Sequence, residues 1–211
     1  MADAARAAFT DARRSQILDA AARCFAQNGF HKTAVHDIAR EAGLSPGAVY
    51  IYFASKDQVI ESMLEQVRQG YQEVLDAARR QQGPVLDALL GLAEALFAPL
   101  SDEGFQCQTN LRVQLWAEAL RNQGLRQAYV ALMDSARSPV SELVRRGQQR
   151  GELDPGIDAD AIAMTFIALF QGSVLHRALY DEIDVPSYLQ TVKALVTRLA
   201  VPPVQAAPTG H

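Results

Sequence analysis

The stretch AGLSPGAVYIYFASK, residues 42–56, contains the boundaries of three successive helices. Gly43 can end the first of them, because a residue without a Cβ atom enters the left-handed conformation without strain. Ser45 is a favoured N-cap for the second helix, and Pro46 suits its first position, where an amide proton would have no partner. This spacing predicts a tight turn followed by a helix of little more than two turns.

The exit from this short helix carries a further start signal. Ser55 and Gln58 have the spacing of a capping box, which would place Lys56 and Asp57 in the first turn of a new helix. A helix, a tight turn, a short helix and a further helix are typical of a helix-turn-helix, whose second helix lies in the major groove of DNA. We therefore predict that this segment contacts DNA.

The whole chain has the composition of an ordinary globular protein. Of its 211 residues, 49% are hydrophobic and 21% charged, which is enough for one large or two small domains. No apolar run approaches the roughly 20 residues that span a bilayer. The N-terminus lacks the basic-then-apolar order of a secretory signal, so we expect a cytoplasmic protein without membrane contact.

The two cysteines, Cys24 and Cys107, have no paired spacing. Cys24 falls on an apolar helix face, which favours a small buried side chain over a disulfide with Cys107. A sensing thiol at Cys107 is the less favoured interpretation, because no obvious group nearby would activate it.

Charge divides the chain at the end of the predicted helix-turn-helix. Residues 1–56 contain seven Lys and Arg against five Asp and Glu, a formal charge of +2, with His31 and His36 in addition. Residues 57–211 contain thirteen against nineteen, a formal charge of −6. This asymmetry is expected of a small DNA-binding head on an acidic body, because only the head must approach phosphate.

The remaining pattern predicts an all-α fold. Apolar residues recur at intervals of three and four, and we find no convincing strand. We predict a three-helix head at 1–56, a helical body at 57–200 and a frayed tail at 201–211. The first helix is expected at about 11–27, and Thr33 is expected to cap a short second helix. Further helices are expected at about 46–53, 56–81, 84–99, 105–121, 123–150, 158–180 and 186–200. Pro139 should kink or split the segment 123–150. The head core is predicted to contain Ile17, Phe25, Val35, Ile38, Val49 and Phe53.

These residues resemble the TetR family, the tetracycline-repressor-like regulators of bacteria. The resemblance covers roughly residues 13–64 and is carried by Ile17, Ala20-Ala21, Phe25, Gly29-Phe30, Thr33, Ile38-Ala39, Ala42-Gly43-Leu44-Ser45, Gly47, Tyr50, Tyr52-Phe53, Lys56 and Asp57. It implies an all-α homodimer. Each subunit would have an N-terminal DNA-binding head and a C-terminal helical domain that binds a small-molecule effector and dimerises.

The family pattern assigns the DNA contacts to the second and third helices and to the start of the fourth. The recognition positions would be Ser45, Pro46, Gly47, Ala48, Tyr50 and Tyr52, and the phosphate-facing positions Thr33, Tyr50, Tyr52 and Lys56. Ser45 and Thr33 are also N-caps, which can be their whole role. Gly47 would let the helix approach DNA closely, or is simply tolerated in a first turn. Lys56 opposes the helix dipole unless an anion such as a DNA phosphate lies nearby.

Tyr50 and Tyr52 are two residues apart and therefore point to different sides of their helix. Because Val49 and Phe53 take the core side, at least one tyrosine hydroxyl should be free for phosphate. The recognition helix lacks the Arg, Asn and Gln side chains that read guanine and adenine. Specificity should then depend on DNA shape, on the tyrosines or on polar residues around the second helix.

The chain departs from the family at Ala34, where a second hydroxyl residue is common. The apolar residues that could touch thymine methyl groups are Pro46, Ala48 and Ile51. The polar candidates around the second helix are His31, Lys32 and His36.

By the same resemblance, a ligand pocket would lie between the fourth helix and the helices around 84–133. The candidate lining residues are Met63, Val67, Tyr71, Leu89, Phe97, Phe105, Gln114, Trp116, Met133, Gln171 and His176. Each of them is also a candidate for plain core, because apolar stripes at helical spacing usually are core. Trp116 beside Arg112 and Glu118 would bound a cavity of mixed polarity, which is typical of ligand sites.

Dimerisation is expected, by resemblance, at the segments 123–150 and 158–180. The second of these is apolar on more than one side, which the core of one subunit would not cover, and Gly172 and Ser173 allow close helix approach. A dimer would place two recognition helices about one turn of DNA apart on a palindromic operator. Effector binding would shift the fourth helix and change the separation of the heads.

The sequence argues against an enzyme. It contains no glycine-rich phosphate loop and no GxSxG, HExxH or CxxC motif, and we expect neither a metal nor a cofactor. The alternative function is an interaction or sensor module whose helix-turn-helix no longer contacts DNA. Repression is the commoner function in the family, but the sequence leaves activation open. It also leaves the effector and the operator sequence unidentified.

Overall fold

The computed structural model describes residues 2–102, 105–180 and 183–200, and the side chains in these ranges except those of 2–7, 106 and 107. The predicted tail at 201–211 and the side chain of Cys107 lie outside the described residues. Cys24 is a buried free thiol, as its position on an apolar face predicts. Burial raises the pKa of this thiol, which keeps it in the neutral form.

The described ranges contain nine α-helices and no strand, which confirms the all-α prediction. The helices are α1 (Ala2–Asn28), α2 (Val35–Glu41), α3 (Pro46–Tyr52), α4 (Lys56–Arg80), α5 (Val85–Phe97), α6 (Phe105–Ala119), α7 (Gln123–Gln149), α8 (Ala159–Leu179) and α9 (Val185–Thr197). A 3₁₀ turn, Ala98–Ser101, follows α5, and an isolated antiparallel bridge joins Leu153 to Ala200.

Two helices differ from their predicted form. α1 begins at Ala2, well before the predicted start near residue 11. α7 is continuous through Pro139, so the predicted split of this segment is wrong. An interior proline costs a helix about 3 kcal/mol. Ala136 and Val140 on either side of it are buried in the body core, and this packing offsets that cost.

The hydrophobic core runs across the predicted boundary at residue 56. One cluster joins α1, α2 and α3 to the first half of α4 and also includes four leucines of α6 and α7, namely Leu111, Leu115, Leu125 and Leu132. A second cluster joins the end of α4 to α5, α7, α8 and α9. Of the predicted head core, only Val35 is partly exposed. The head therefore rests on the body through shared apolar packing rather than through a linker.

We expect Gly147→Ala to destabilise the fold, although alanine is the better helix former by about 1 kcal/mol. A Cβ atom at Gly147 would lie 2.7 Å from Leu153 Cδ1 and 3.2 Å from Val85 Cβ. Both side chains are completely buried and have no room to move away. The free energy of unfolding in urea should fall by about 1–3 kcal/mol.

The matched control is Gly91→Ala in α5, where the nearest atom to a Cβ would be Gln81 Oε1 at 3.8 Å. This change should raise the free energy of unfolding by about 0.4–1 kcal/mol, because it restricts the unfolded chain without adding strain. If both variants were stabilised equally, the close approach of α7 to Leu153 would not be a packing constraint.

Candidate DNA-binding head and ligand cavity

The turn between α2 and α3 has the backbone geometry that its sequence predicts. Gly43 has a φ of +66°, and the amide of Leu44 donates to the Ala39 carbonyl at 2.8 Å, which closes α2. Ser45 then caps α3, because its hydroxyl accepts a hydrogen bond from the Ala48 amide at 3.2 Å. The local sequence thus ends α2 and starts α3.

The start of α4 is capped almost as predicted. Ser55 Oγ accepts from the Gln58 amide at 3.1 Å, which is the first half of a capping box. The Gln58 side chain returns to the amide of Ala54 at 2.5 Å rather than to that of Ser55. The reciprocal bond is therefore shifted by one residue, and α4 still begins at Lys56.

The outer face of α3 carries most of the predicted recognition residues. Ser45, Pro46 and Gly47 are exposed, and a Cβ atom at Gly47 would meet nothing within 4 Å. Tyr50 is 55% and Ile51 79% exposed. Ala48 is half-buried, and Tyr52 is half-buried against the head core. The free surface of this helix therefore consists of the Tyr50 phenol, the large apolar side chain of Ile51 and the bare backbone at Gly47.

An arginine that sequence reasoning missed anchors the end of α3. Arg14 in α1 donates to the carbonyl of Tyr52 at 2.9 Å, and its guanidinium carbon lies 4.4 Å from the centre of the Phe53 ring. Ring stacking and the hydrogen bond together fix α3 against α1. The only signal in the sequence is that Arg14 precedes the buried Ile17 by three residues and so shares its helix face.

Thr33 does not have either of its predicted roles. Its side chain is 1% exposed, and its hydroxyl, which has one proton to donate, lies 2.8 Å from the Gly29 carbonyl and 3.2 Å from the Cys24 carbonyl. The N-cap of α2 is Ala34, whose amide donates to the Asp37 carboxylate at 3.0 Å. The predictions of a Thr33 cap and of a Thr33 phosphate contact are wrong, because the end of α1 offers this hydroxyl two buried acceptors.

Lys56 also has partners inside the protein. Its half-buried ammonium donates to the carbonyl of Phe30 at 2.7 Å and to that of Thr33 at 3.2 Å. These acceptors offset the unfavourable position of a cation at a helix N-terminus, so no phosphate is needed to explain it. Lys56 therefore does not depend on an outside anion, and it ties the α1–α2 loop to the start of α4.

We expect Thr33→Val to lower the free energy of unfolding by about 1–3 kcal/mol, because a buried position loses the hydroxyl whose one proton is shared between the Gly29 and Cys24 carbonyls. Operator affinity, measured on the folded protein by a mobility-shift assay, should not change. A variant of normal stability with weakened DNA binding would instead support the phosphate contact. The matched control is Thr191→Val on the exposed side of α9, where the hydroxyl donates to the Ser187 carbonyl at 3.0 Å. This change should lower the free energy of unfolding by less.

The two histidines near α2 have different surroundings. His36 is exposed, and its Nε2 atom lies 3.3 Å from the Asp37 carboxylate. The Ala34 amide, with smaller contributions from His36 and Arg40, holds the pKa of this carboxyl below its usual value. His31 lies 3.1 Å from Glu118 of α6, so it joins the head to the body.

Between α4, α6, α7 and α8 lies a cavity of about 60 Å³, and a more open groove of about 400 Å³ adjoins it between α1, α4, α5 and α6. Both are lined largely by apolar side chains. The predicted residues that line the cavity are Val67, Tyr71, Trp116, Met133 and Gln171, and those that line the groove are Met63, Val67, Tyr71 and Phe105. The structure therefore brings these predicted residues together around α4.

The other predicted lining residues lie elsewhere. Phe97 and Leu89 are buried in the body core away from the cavity. Gln114 points to the end of α1, where its amide donates to the Ala26 carbonyl at 3.4 Å. His176 is exposed, and its ring lies 5.7 Å from that of Tyr180. These residues line neither the cavity nor the groove, because helical spacing alone does not identify the neighbour that a helix face meets.

The cavity has few polar groups, and one of them, Tyr129, was not predicted from the sequence. Gln171 donates to the Tyr129 hydroxyl at 2.7 Å and contacts the Met133 sulfur at 3.0 Å. Burial raises the pKa of Tyr129 to about 12. Burial also raises the pKa of Tyr71, although the nearby Arg112 opposes this shift. Both phenols are thus neutral hydrogen-bonding groups at physiological pH. Among the described residues, no His, Cys, Asp and Glu cluster could hold a metal ion.

One face of α8 is an exposed stripe of small and apolar residues. Met164 is 56% exposed, and Leu175 and Leu179 near the end of the helix are exposed as well. The stripe follows helical spacing and consists of Ala161, Met164, Thr165, Ala168, Gly172, Leu175, His176 and Leu179. A Cβ atom at Gly172 would meet nothing within 4 Å, so the middle of the stripe is open to close approach.

Comparison with known proteins follows the same division of the chain. The family described as "Bacterial regulatory proteins, tetR family" matches residues 17–63. The family described as "BetI-type transcriptional repressor, C-terminal" matches residues 85–201, which is more than half of the chain. The chain belongs to the TetR family of bacterial regulatory proteins. Its relatives are helix-turn-helix transcriptional regulators and not enzymes.

Individual relatives of this TetR-family regulator match most of its length. The regulator UidR of Escherichia coli K12 is 27% identical over 187 residues, or 87% of this chain and 90% of UidR. The repressor KstR2 of Mycolicibacterium smegmatis is 30% identical over 156 residues, or 71% and 72%. A regulator from Saccharomonospora viridis, solved in complex with choline, superposes with a TM-score of 0.76 at 24% identity and covers 90% and 97%.

Among the described helices of this TetR-family regulator, only α8 has the length and mean hydropathy, 1.4, of a membrane span. Less than a third of the residues in this apolar window are buried. The family consists of soluble DNA-binding proteins, and nothing else in the described chain points to a membrane. The apolar surface of α8 therefore requires another explanation.

Proposed function

We propose that this TetR-family regulator is a cytoplasmic repressor that binds palindromic operator DNA as a homodimer and is released by a small-molecule effector. The observation that carries the proposal is that α4 begins at the exit of the helix-turn-helix and also lines the cavity, through Val67 and Tyr71. One rigid helix thus connects the DNA-binding surface with the ligand site.

The exposed face of α3 is the DNA-reading surface in this proposal. Gly47 lets the helix backbone approach the floor of the groove, because nothing covers it. Tyr50 reaches a phosphate or a base edge, and Ile51 contacts thymine methyl groups. Ser45 and Pro46 lie beside Gly47 at the start of α3, and His36 contacts the DNA backbone from α2. Sequence choice depends on DNA shape more than on bidentate side chains.

The exposed stripe of α8 is the dimer interface in this proposal, with α7 beside it. Its central residues Ala168 and Gly172 are small, and larger apolar residues stand at both ends, so two copies can pack closely across a two-fold axis. Burial of this face removes the exposed apolar side chains of Met164, Leu175 and Leu179 from water. The dimer sets the spacing of the two recognition helices.

The effector acts through the contacts of the cavity with the head. The groove beside the cavity is lined by Leu18, Asp19 and Ala22 of α1 as well as by α4 and α6. A ligand there touches the elements that carry α3, so it shifts the separation of the two heads in the dimer. Such coupling is reciprocal, and operator DNA should weaken effector binding by the same factor.

The functional division of the chain in this proposal is a DNA-binding head at 1–56 and an effector-binding and dimerising body at 57–200. The name of the relative KstR2 and the description of the C-terminal family both contain the word repressor, which favours repression over activation.

A mobility-shift assay on the DNA upstream of the chain's own gene, and on palindromes selected from a random pool, tests the proposal. Sequence-selective binding as a dimer that weakens steeply with salt is the expected result. The absence of such binding would leave the interaction module as the function. A promoter fusion then distinguishes the two signs of regulation: deletion of the regulator should raise expression if it represses.

A further inference from the structure

An arginine lies at the boundary between the cavity and the groove. Arg112 in α6 lines both of them, together with Tyr71 and Phe170. Its side chain is half-buried among mainly apolar neighbours. Because a guanidinium keeps its charge, this residue brings a permanent positive charge to a mostly apolar site.

Aromatic rings hold this guanidinium in place without neutralising it. Its central carbon lies 5.5 Å from the ring centre of Tyr71, 5.3 Å from that of Phe105 and 5.7 Å from that of Phe170. Ring faces attract cations, but they carry no net charge. Arg112 also donates to the Tyr71 hydroxyl at 2.5 Å, which is neutral because burial raises its pKa. One of the five N–H donors of the guanidinium is thereby used.

The expected counter-ion is missing from the described part of the chain. No Asp or Glu oxygen there lies within the 4.0 Å of an ion pair with Arg112. Asp19 lines the groove from α1, but it is exposed and does not pair with Arg112. Glu118, on the same helix as Arg112, lies against His31 instead. A half-buried cation with no counter-charge among the described residues favours the entry of an anion from outside.

We propose that Arg112 binds the carboxylate of the effector, and that the effector is an organic acid whose apolar part packs against Tyr71 and Phe170. The inference rests on the proposed function, because it names the ligand class of the same site. A planar carboxylate matches the fork of N–H donors in two parallel hydrogen bonds. The groove of about 400 Å³ is also large enough for a small molecule.

The proposal separates this chain from the neighbour solved with choline. Choline is a quaternary ammonium ion, and at Arg112 it would meet a like charge with no carboxylate to offset the repulsion. The similarity between the two proteins, at 24% identity, extends to the fold. The charge of the ligand therefore differs between them.

Carboxylate binding at Arg112 also gives the ligand a direct effect on α4. The carboxylate competes with the Tyr71 hydroxyl for the guanidinium, and Tyr71 belongs to the helix that begins at the head. Loss of this hydrogen bond frees α4 from α6 at the level of the cavity. The effector signal thus starts at the bond between Arg112 and Tyr71.

Two sets of matched probes test the ligand class on the full-length protein. The first is octanoate, octanol and octyltrimethylammonium, and the second is phenylacetate, phenethyl alcohol and phenethyltrimethylammonium. Trp116 is the only tryptophan of the chain and lines the cavity, so its fluorescence reports binding, and calorimetry checks the affinity. At least one carboxylate should bind about tenfold more tightly than both counterparts of its set.

Three variants connect that preference with the site. Arg112→Met should abolish the preference for the acid, Arg112→Lys should keep part of it, and Tyr71→Phe should strengthen acid binding because a competing acceptor is gone. Acid preference that survives Arg112→Met overturns the proposal. Equal or tighter binding of the alcohols or ammonium ions overturns it too, as does the failure of both acids to bind. The lysine and phenylalanine variants keep the test valid if the methionine variant does not fold.

Operator binding measured without any probe distinguishes failure of the ligand class from failure of the proposed function. If the protein binds its operator but shows no acid preference, the ligand class is wrong and the proposed function stands. If operator binding itself is absent, the proposed function fails whatever the probes do.

Discussion

Gly47→Glu is expected to abolish operator binding, with a loss in affinity of about 100-fold or more. The new carboxylate would lie on the exposed face of α3, where the helix backbone faces the DNA in the proposed complex. Repulsion between like charges held together in an interface costs several kcal/mol, and each 1.4 kcal/mol is a factor of ten. The added side chain also occupies the space that bare backbone leaves for close approach.

The same change should leave the fold intact. Nothing lies within 4 Å of a Cβ atom at Gly47, so no atom of the subunit must move. A carboxylate in the first turn of a helix interacts favourably with the helix dipole, by about 0.3–1 kcal/mol. Thermal unfolding and sedimentation should therefore show a dimer at least as stable as the wild type, and only the mobility-shift assay should change.

The control for this variant is Gly91→Glu, which adds the same charge to another exposed helical glycine with room for a side chain. It lies in α5, on the body, and should bind operator normally. Equal operator affinity for the two variants would mean that α3 does not face DNA, and the helix-turn-helix would then be an interaction surface.

Gly172→Glu is expected to convert the proposed dimer to monomers. The residue is in the middle of the stripe of α8, and a Cβ atom there would meet nothing within 4 Å in its own subunit. Across a two-fold axis the two new carboxylates would face each other inside an apolar interface. An unpaired buried charge costs several kcal/mol, so the dimer dissociation constant should rise by about 100-fold or more.

Light scattering at several concentrations measures this shift, and circular dichroism checks that the helices remain. Operator affinity should fall together with dimerisation, because one head makes only half of the contacts. Gly91→Glu is again the control and should remain dimeric. A persistent dimer for Gly172→Glu would place the interface elsewhere and leave the apolar face of α8 without an explanation.

Local sequence was sufficient wherever a helix end is decided by neighbouring residues. Gly43, Ser45, Pro46 and Ser55 act within three or four positions along the chain, and the structure has the turn and both caps where the sequence predicts them. Such signals can be read directly because their partners are adjacent. The all-α class follows in the same way from the period of the apolar residues.

Thr33 and Lys56 show where that reasoning ends. The roles predicted for both come from the family pattern and from their distance to a helix end. Their true partners are carbonyls at the end of α1 and in the following loop, Cys24, Gly29 and Phe30 among them. A buried hydroxyl or ammonium takes whichever acceptors the packing presents, and the sequence does not show which carbonyls meet them.

The cavity shows the same limit for apolar residues. Tyr71 and Phe97 are aromatic residues on amphipathic helices, and nothing in their spacing distinguishes them. Tyr71 lines the cavity, whereas Phe97 fills the core against Phe166, Phe170 and Tyr188. Whether an apolar face meets a void or a neighbour depends on how helices cross, which is a property of the packed bundle.

For this protein, short-range chemistry in the chain was enough to predict the helix-turn-helix and most of the helices, whereas the family followed from the resemblance of residues 13–64 and from the matching family models. The helices and the turn rest on backbone preferences and periodicity, which act over a few residues. The anchoring of α3 by Arg14, the inward bonds of Lys56 and the bond between Arg112 and Tyr71 became visible only in the folded arrangement. Each of them joins residues that are at least 20 positions apart, because packing and not sequence distance decides which groups share a low-dielectric space.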